Sequence, residues 1–122
     1  MFVSRAFEEA ARQYLTVLNR KRETPFDFLK IGSWWDRNEE IDIVAFDEKG
    51  IKFLFGECKW SSNPVGTDIY ENLKRKSILL RQEYDIKENY YFIFSKSGFT
   101  EGLKKIKDEK LKLVSVDEMA DI

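Results

Sequence analysis

The sequence predicts an α/β domain, a mixed β-sheet flanked by helices, with elements in the order α-β-β-β-α-β-α-β. Three observations predict it. The N-terminal stretch carries apolar residues at helical spacing. Two apolar runs, "EIDIVAFD" and "IKFLFGECKW", meet at the turn sequence "DEKG" and make an antiparallel hairpin. A helical crossover then leads to "NYYFIFSKS", a continuous apolar run typical of strands buried on both faces.

From Phe2 to about Arg22, the residues Phe7, Ala11, Tyr14 and Leu18 share one helical face. "TPFDFLKIGSWW", Thr24 to Trp35, reads as a strand entered after Pro25, with Phe26, Phe28 and Lys30 pointing one way. After a polar turn at Asp36 to Asn38, the hairpin strands run from Glu40 to Asp47 and from Ile51 to Trp60. The loop "SSNPVG" ends where Gly66-Thr67 starts a helix to Tyr84, with Ile69, Leu73, Leu80 and Tyr84 on one face. Asn89 to Ser97 is the buried strand. Phe99, Leu103 and Ile106 mark a short helix, "LKLVSV" a last strand, and Asp117 the expected cap of a final turn.

The 122 residues suffice for one domain with one core, spanning 1–122. No apolar run approaches a membrane span, and the N-terminus lacks a signal-peptide pattern. The single cysteine, Cys58, excludes an intrachain disulfide and fits a reducing cytoplasm. The chain has no histidine, which removes histidine-based triads and general bases. With one cysteine as well, a structural zinc site is argued against, and any metal must be held by oxygens, as magnesium, manganese or calcium are. The net charge of −1 neither suggests nor forbids a nucleic-acid partner, because local patches decide.

Charges interrupt the hairpin where they are costly. Glu57 and Lys59 lie at alternate positions of the most apolar strand, on one face and roughly 7 Å apart along it. Asp42 sits among Ile41, Ile43 and Val44, although aspartate is depleted in strands. With the turn at Asp47 to Gly50, a simple register sets Asp42 opposite Leu54 to Phe55, and a bulge at Gly56 would bring it toward Glu57. Asp42, Glu57 and the backbone carbonyl of Cys58 then make a ligand set for a hard cation. Such a cation lowers the pKa of a bound water and polarises a phosphoryl oxygen, with Lys59 stabilising developing charge. The competing structural reading is a partly buried ion network at the end of the sheet.

Asp42 in "EIDIVAFD", a hairpin, then Glu57-Cys58-Lys59 in "FGECKW" resembles the PD-(D/E)XK superfamily of restriction-endonuclease-like and Holliday-junction-resolvase-like nucleases. "FEEAARQYL", "GSWWDRNEEIDIVAFD" and "FGECKWSSNPVG" resemble, within it, the nuclease-like C-terminal domain of a family of archaeal ATPases. The resemblance covers roughly Phe2 to Ser95 and implies a restriction-endonuclease-like sheet with core order α-β-β-β-α-β. It implies catalytic roles for Asp42, Glu57 and Lys59, with Glu8, rather than Glu9, as the first-helix glutamate. Ile41 stands where the superfamily's name would put proline. The implied cofactor is Mg2+ or Mn2+, the implied substrate is DNA, and the implied activity is hydrolysis of its phosphodiester bonds. The alternative is a catalytically inactive nucleic-acid-binding or oligomerisation module on the same fold. The chain has no phosphate-loop motif, so the ATPase module of the resemblance would lie elsewhere, in the same or another chain. We expect either a piece of a larger protein or a stand-alone version.

Three further features carry expectations. Trp34-Trp35 should place one ring in the core and leave the other near the surface, where it can seal the site or a subunit contact. Lys74 and Arg75 are candidate phosphate contacts, with solvated surface as the competing reading. A homodimer is expected, because cutting both strands of a duplex takes two sites. Sedimentation at micromolar concentration checks this, and a monomer that still makes paired cuts would contradict it.

Overall fold

The structure is a computed structural model that describes residues 2–120, with side chains from Arg5 onward. Among the described residues, four helices and five strands follow in the order α1 (Phe2–Arg20), β1 (Lys30–Trp35), β2 (Glu40–Phe46), β3 (Lys52–Lys59), α2 (Thr67–Arg81), β4 (Glu88–Ser95), α3 (Glu101–Lys104), β5 (Leu111–Ser115) and α4 (Val116–Met119). The strands form one sheet in the order β1-β2-β3-β4-β5. The first three are antiparallel, and β3, β4 and β5 are parallel. The expected mixed sheet and core order are therefore present. Among the described residues, no helix is long and apolar enough to cross a membrane.

Each face of the sheet has its own core. Phe7, Ala11 and Leu15 of α1 pack on Ile43, Leu54 and Phe94. On the other face, Leu73 and Leu80 of α2 and Leu103 of α3 pack on Phe55, Tyr91 and Ile93. Alternate residues of β4 thus enter opposite cores, as its unbroken apolar run requires. Trp34 packs against the α2-side core, whereas Trp35 is 70% exposed.

The first strand is shorter than its sequence suggests. Thr24 to Leu29 is not strand, because Asn19 of α1 takes over the backbone of Phe28. The Asn19 side chain donates to the Phe28 carbonyl at 2.9 Å and accepts from its N–H at 3.1 Å. Phe26 and Phe28 still bury their rings in the α1-side core. α1 itself ends with Arg22 in the left-handed region (φ 59°) and the Glu23 N–H bonded back to the Leu18 carbonyl at 2.9 Å, a closing turn that most often uses glycine. At the other end of the chain, the cap expected of Asp117 belongs to Ser115, whose hydroxyl accepts from the Glu118 N–H at 3.3 Å.

The register of the hairpin also differs from expectation. The Asp47 carboxylate accepts from the N–H groups of Ile51 and Lys52, which lengthens the turn. Phe46 then pairs with Phe53, and Ile43 with Gly56. One step further along this register, Asp42 lies level with Glu57, with no bulge at Gly56. Gly56 has a different role: a Cβ there would stand 2.9 Å from the Ile43 Cβ, so the close approach of β2 and β3 excludes a side chain. The irregularity falls instead on β2. Between the pairs Gly32–Val44 and Trp34–Ile41, Asp42 and Ile43 oppose Ser33 alone. This extra residue flips the alternation, so Ile41 enters the α2-side core while Ile43 enters the α1-side core.

Candidate active site

The β2 bulge and the end of the β2–β3 ladder produce the site. The last ladder pair is Ile43 with Gly56. Continued two residues further in the same register, the Cys58 N–H would reach for the Ile41 carbonyl. It donates instead to the Asp42 carboxylate, Oδ2, at 2.9 Å. The aspartate thereby replaces a ladder bond, which satisfies a buried N–H and fixes its own orientation. Within a strand, a residue's N–H and C=O point toward the same edge, so the Cys58 carbonyl faces the Asp42 side as well.

Glu57 is 7% exposed and Asp42 is 9% exposed. Burial pushes the Glu57 carboxyl up to about 7, and the Asp42 charge adds to the rise, while Lys76 and Lys59 oppose it. Two ammonium groups divide its oxygens. Lys59 Nζ lies 3.6 Å from Oε2 and Lys76 Nζ lies 3.5 Å from Oε1. Neither distance is a hydrogen bond to Oε1, and that buried atom has no hydrogen-bond partner. Lys76 spends its hydrogen bond on the Glu40 carbonyl at 2.8 Å.

α1 reaches the same end of the sheet from the opposite face. Glu8 is raised above the usual carboxylate range by burial and then by the charges of Asp42 and Glu40, with Arg12 and Arg5 opposing. Arg12 donates to the Asp42 carbonyl at 3.3 Å and pairs with Glu9 at 3.0 Å. Glu9 is exposed and tied to Arg12, so Glu8 is the α1 carboxylate whose charge is coupled to Asp42. The Cys58 thiol is buried and held in its neutral form by that burial, so it offers no nucleophile.

Asp42, Glu57, Cys58 and Lys59 are thus brought together, with Glu8 in electrostatic reach. Lys74 and Arg75 have other neighbours. Lys74 lies 4.0 Å from Glu71 and over the Tyr70 ring, and Arg75 pairs with Glu39 at 2.7 Å. Lys76, Arg12 and the Glu40 carbonyl are the site groups that sequence reasoning missed. Lys76 had a legible signal, because it lies three residues after Leu73 and four before Leu80 on the buried stripe of α2.

The donors here, two carboxylates and a carbonyl, are all oxygen, the ligand type a hard cation takes, and one of the Glu57 oxygens has no hydrogen bond. The set is a lean one. Among the described residues, no group of three or more histidine, cysteine, aspartate or glutamate side chains gathers as a ready metal cage.

Residues 1–78, which carry every site group named above, match the DUF234 family, described as archaea bacterial proteins of unknown function. The chain belongs to DUF234. An uncharacterized protein of Methanocaldococcus jannaschii is 44% identical to this DUF234 chain over 92 residues, which is 74% of the chain and 20% of the relative. The chain therefore spans about a fifth of the length of that curated relative. A crystal structure of a repair endonuclease from Pyrococcus abyssi superposes with a TM-score of 0.55 at 20% identity, over 87% of this chain and 46% of that one. That likeness is one of fold, and the DUF234 chain has a PD-(D/E)XK-like fold.

Proposed function

We propose that this domain is a nucleic-acid-acting module, and that the sheet end bearing Asp42, Glu57 and Lys59 is a metal-dependent nuclease site that hydrolyses DNA phosphodiester bonds. The observation that carries this reading is Glu57 Oε1, a buried carboxylate oxygen without a hydrogen-bond partner, beside a second carboxylate. The Glu57 oxygens meet two ammonium groups at 3.5 and 3.6 Å, and an ion pair buried this deeply rarely recovers in stability what its desolvation costs, so a purely structural role gains little from the position. Asp42, Glu57 and the Cys58 carbonyl would hold Mg2+ or Mn2+. When bound, the cation lowers the pKa of a bound water and polarises a phosphoryl oxygen. Lys59 is 39% exposed, so its ammonium can leave Glu57 and meet a phosphate oxygen as charge builds there. Asp42 keeps the Cys58 N–H, and with it the end of β3, in place. DNA as substrate, Lys74 and Arg75 as further phosphate contacts, and an ATPase module as a partner belong to the same proposal.

A second reading is a catalytically inactive nucleic-acid-binding or oligomerisation module on this fold. The lack of a three-ligand group among the described residues favours it, as does the neutralisation of Glu57 by two ammonium groups. On the ligand count and the fold likeness taken alone, it is the better supported of the two.

A cleavage panel separates them. Single-stranded, duplex, flap and four-way DNA are incubated with Mg2+, Mn2+ or EDTA. The nuclease reading expects cleavage of at least one substrate that EDTA abolishes. Retarded migration of DNA without cleavage in any metal would instead support the binding module.

A further inference from the structure

The least explained charge in the molecule is Lys76. It lies on the apolar stripe of α2, between Leu73 and Leu80, and is 9% exposed. A buried ammonium persists only with partners that offset its desolvation. Lys76 has two, the Glu40 carbonyl at 2.8 Å and Glu57 Oε1 at 3.5 Å. The two lysines on Glu57 are not equivalent. Lys59 comes from the same strand, is 39% exposed and faces Oε2. Lys76 comes from a different element, is 11% exposed along its side chain and faces Oε1, the oxygen that lacks a hydrogen bond.

Resting on the reading of Asp42 and Glu57 as a cation site, we infer that Lys76 is a built-in counter-cation. Its ammonium and a divalent cation are alternative occupants of the Oε1 side of Glu57. A metal bound at that oxygen would meet a positive charge a few ångströms away in a poorly solvated place, where repulsion is strong. The lysine stem is long and flexible, so the head group can withdraw. The Glu40 carbonyl, two residues before Asp42 on β2, gives it a hydrogen bond to keep while it does so. The device holds the metal-free site near neutral. Its cost is weaker metal binding than the carboxylates alone would give. Lys76 is therefore a positioning residue that sets cation affinity.

Lys76→Met tests this, because methionine keeps most of the apolar stem and removes the charge. Mg2+ affinity is measured by calorimetry at pH 8.5, where proton competition at Glu57 is least. The variant should bind Mg2+ about ten-fold tighter than the unmodified protein, or more, since a like charge has been removed from the site. Equal or weaker binding by a folded variant would overturn the inference and leave the cation site standing. Absence of binding in both proteins would overturn the cation-site reading and the inference with it. If Lys76→Met does not fold, the unmodified protein decides through lysine acetylation read by mass spectrometry. Saturating Mg2+ should raise modification of Lys76 severalfold relative to Lys52, which pairs with Glu88 away from the site. Unchanged or reduced modification of Lys76 would contradict displacement.

Discussion

Asp42→Ala and Lys59→Ala should each reduce Mg2+-dependent DNA cleavage by at least ~10²–10³-fold, the usual loss when a group that stabilises transition-state charge is removed. The two losses have different origins. Asp42 is half of the carboxylate pair, so its removal weakens metal binding. It also frees the Cys58 N–H, which the Asp42 carboxylate holds at 2.9 Å, and so loosens the end of β3. Lys59 touches Glu57 only at 3.6 Å and is open to solvent, so its removal should spare metal binding and slow the chemical step. Circular dichroism should report folded proteins in both cases, since Lys59 is part-exposed and Asp42 lies at the end of the ladder beyond the Ile43–Gly56 pair. Cleavage by either variant at the unmodified rate would remove that residue from the site.

In metal-free buffer, the protein should lose stability as pH rises from 5 to 8, on the order of 2–3 kcal/mol, because the Glu57 carboxyl is raised from the usual 4.5 to about 7. The sign follows from proton counting. Between those two values the unfolded chain has released the Glu57 proton and the folded chain still holds it. The unfolded state binds fewer protons, so stability falls as pH rises, and it levels off above the folded value. Burial is the largest cause of the rise and the Asp42 charge the second. Glu8, also raised, adds a change of the same sign. The window is otherwise nearly empty, because the chain has no histidine. The carboxylates of Glu39, Asp47, Glu88 and Asp108 are held low, so their contributions disappear only as pH falls below the usual carboxylate range. Saturating Mg2+ should cancel the fall, since it binds the ionised folded form. Asp42→Asn keeps an oxygen for the Cys58 N–H and should reduce the slope without metal, leaving the part that burial causes. Urea unfolding at pH 5, 6, 7 and 8, in EDTA and in Mg2+, measures this. A flat profile in EDTA would contradict the buried, proton-holding Glu57.

Much of this arrangement was legible in the sequence because charge in an apolar strand is expensive. Asp42, Glu57 and Lys59 stand out against their neighbours, and the fold brings them to one end of the sheet. Element types followed from period, as in α1 and β4. What was not legible depended on side chains reaching across the chain. Asn19 bonds to the Phe28 backbone and shortens β1. The Asp47 carboxylate resets the hairpin turn, and with it the level at which Asp42 meets β3. The bulge sits on β2 in its pairing with β1, and Gly56 instead serves the close contact with Ile43. Lys76 was obscured by its neighbours. Within "LKRKS" it reads as one member of a basic cluster, yet its position on the stripe of Leu73 and Leu80 marks it as buried. The same rule that exposed Glu57, a charge on an apolar face, applies to a helix at period 3.6.

On the nuclease reading, Asp42 and Glu57 hold one divalent cation between them. Mn2+ titration followed by electron paramagnetic resonance of the free ion tests it most directly, because it needs no substrate and no turnover. The unmodified protein should take up Mn2+ stoichiometrically, Lys59→Ala should do the same, and Asp42→Ala and Glu57→Ala should leave the ion free. Failure of the unmodified protein to bind Mn2+, or uptake by either carboxylate variant equal to that of the unmodified protein, would contradict this reading.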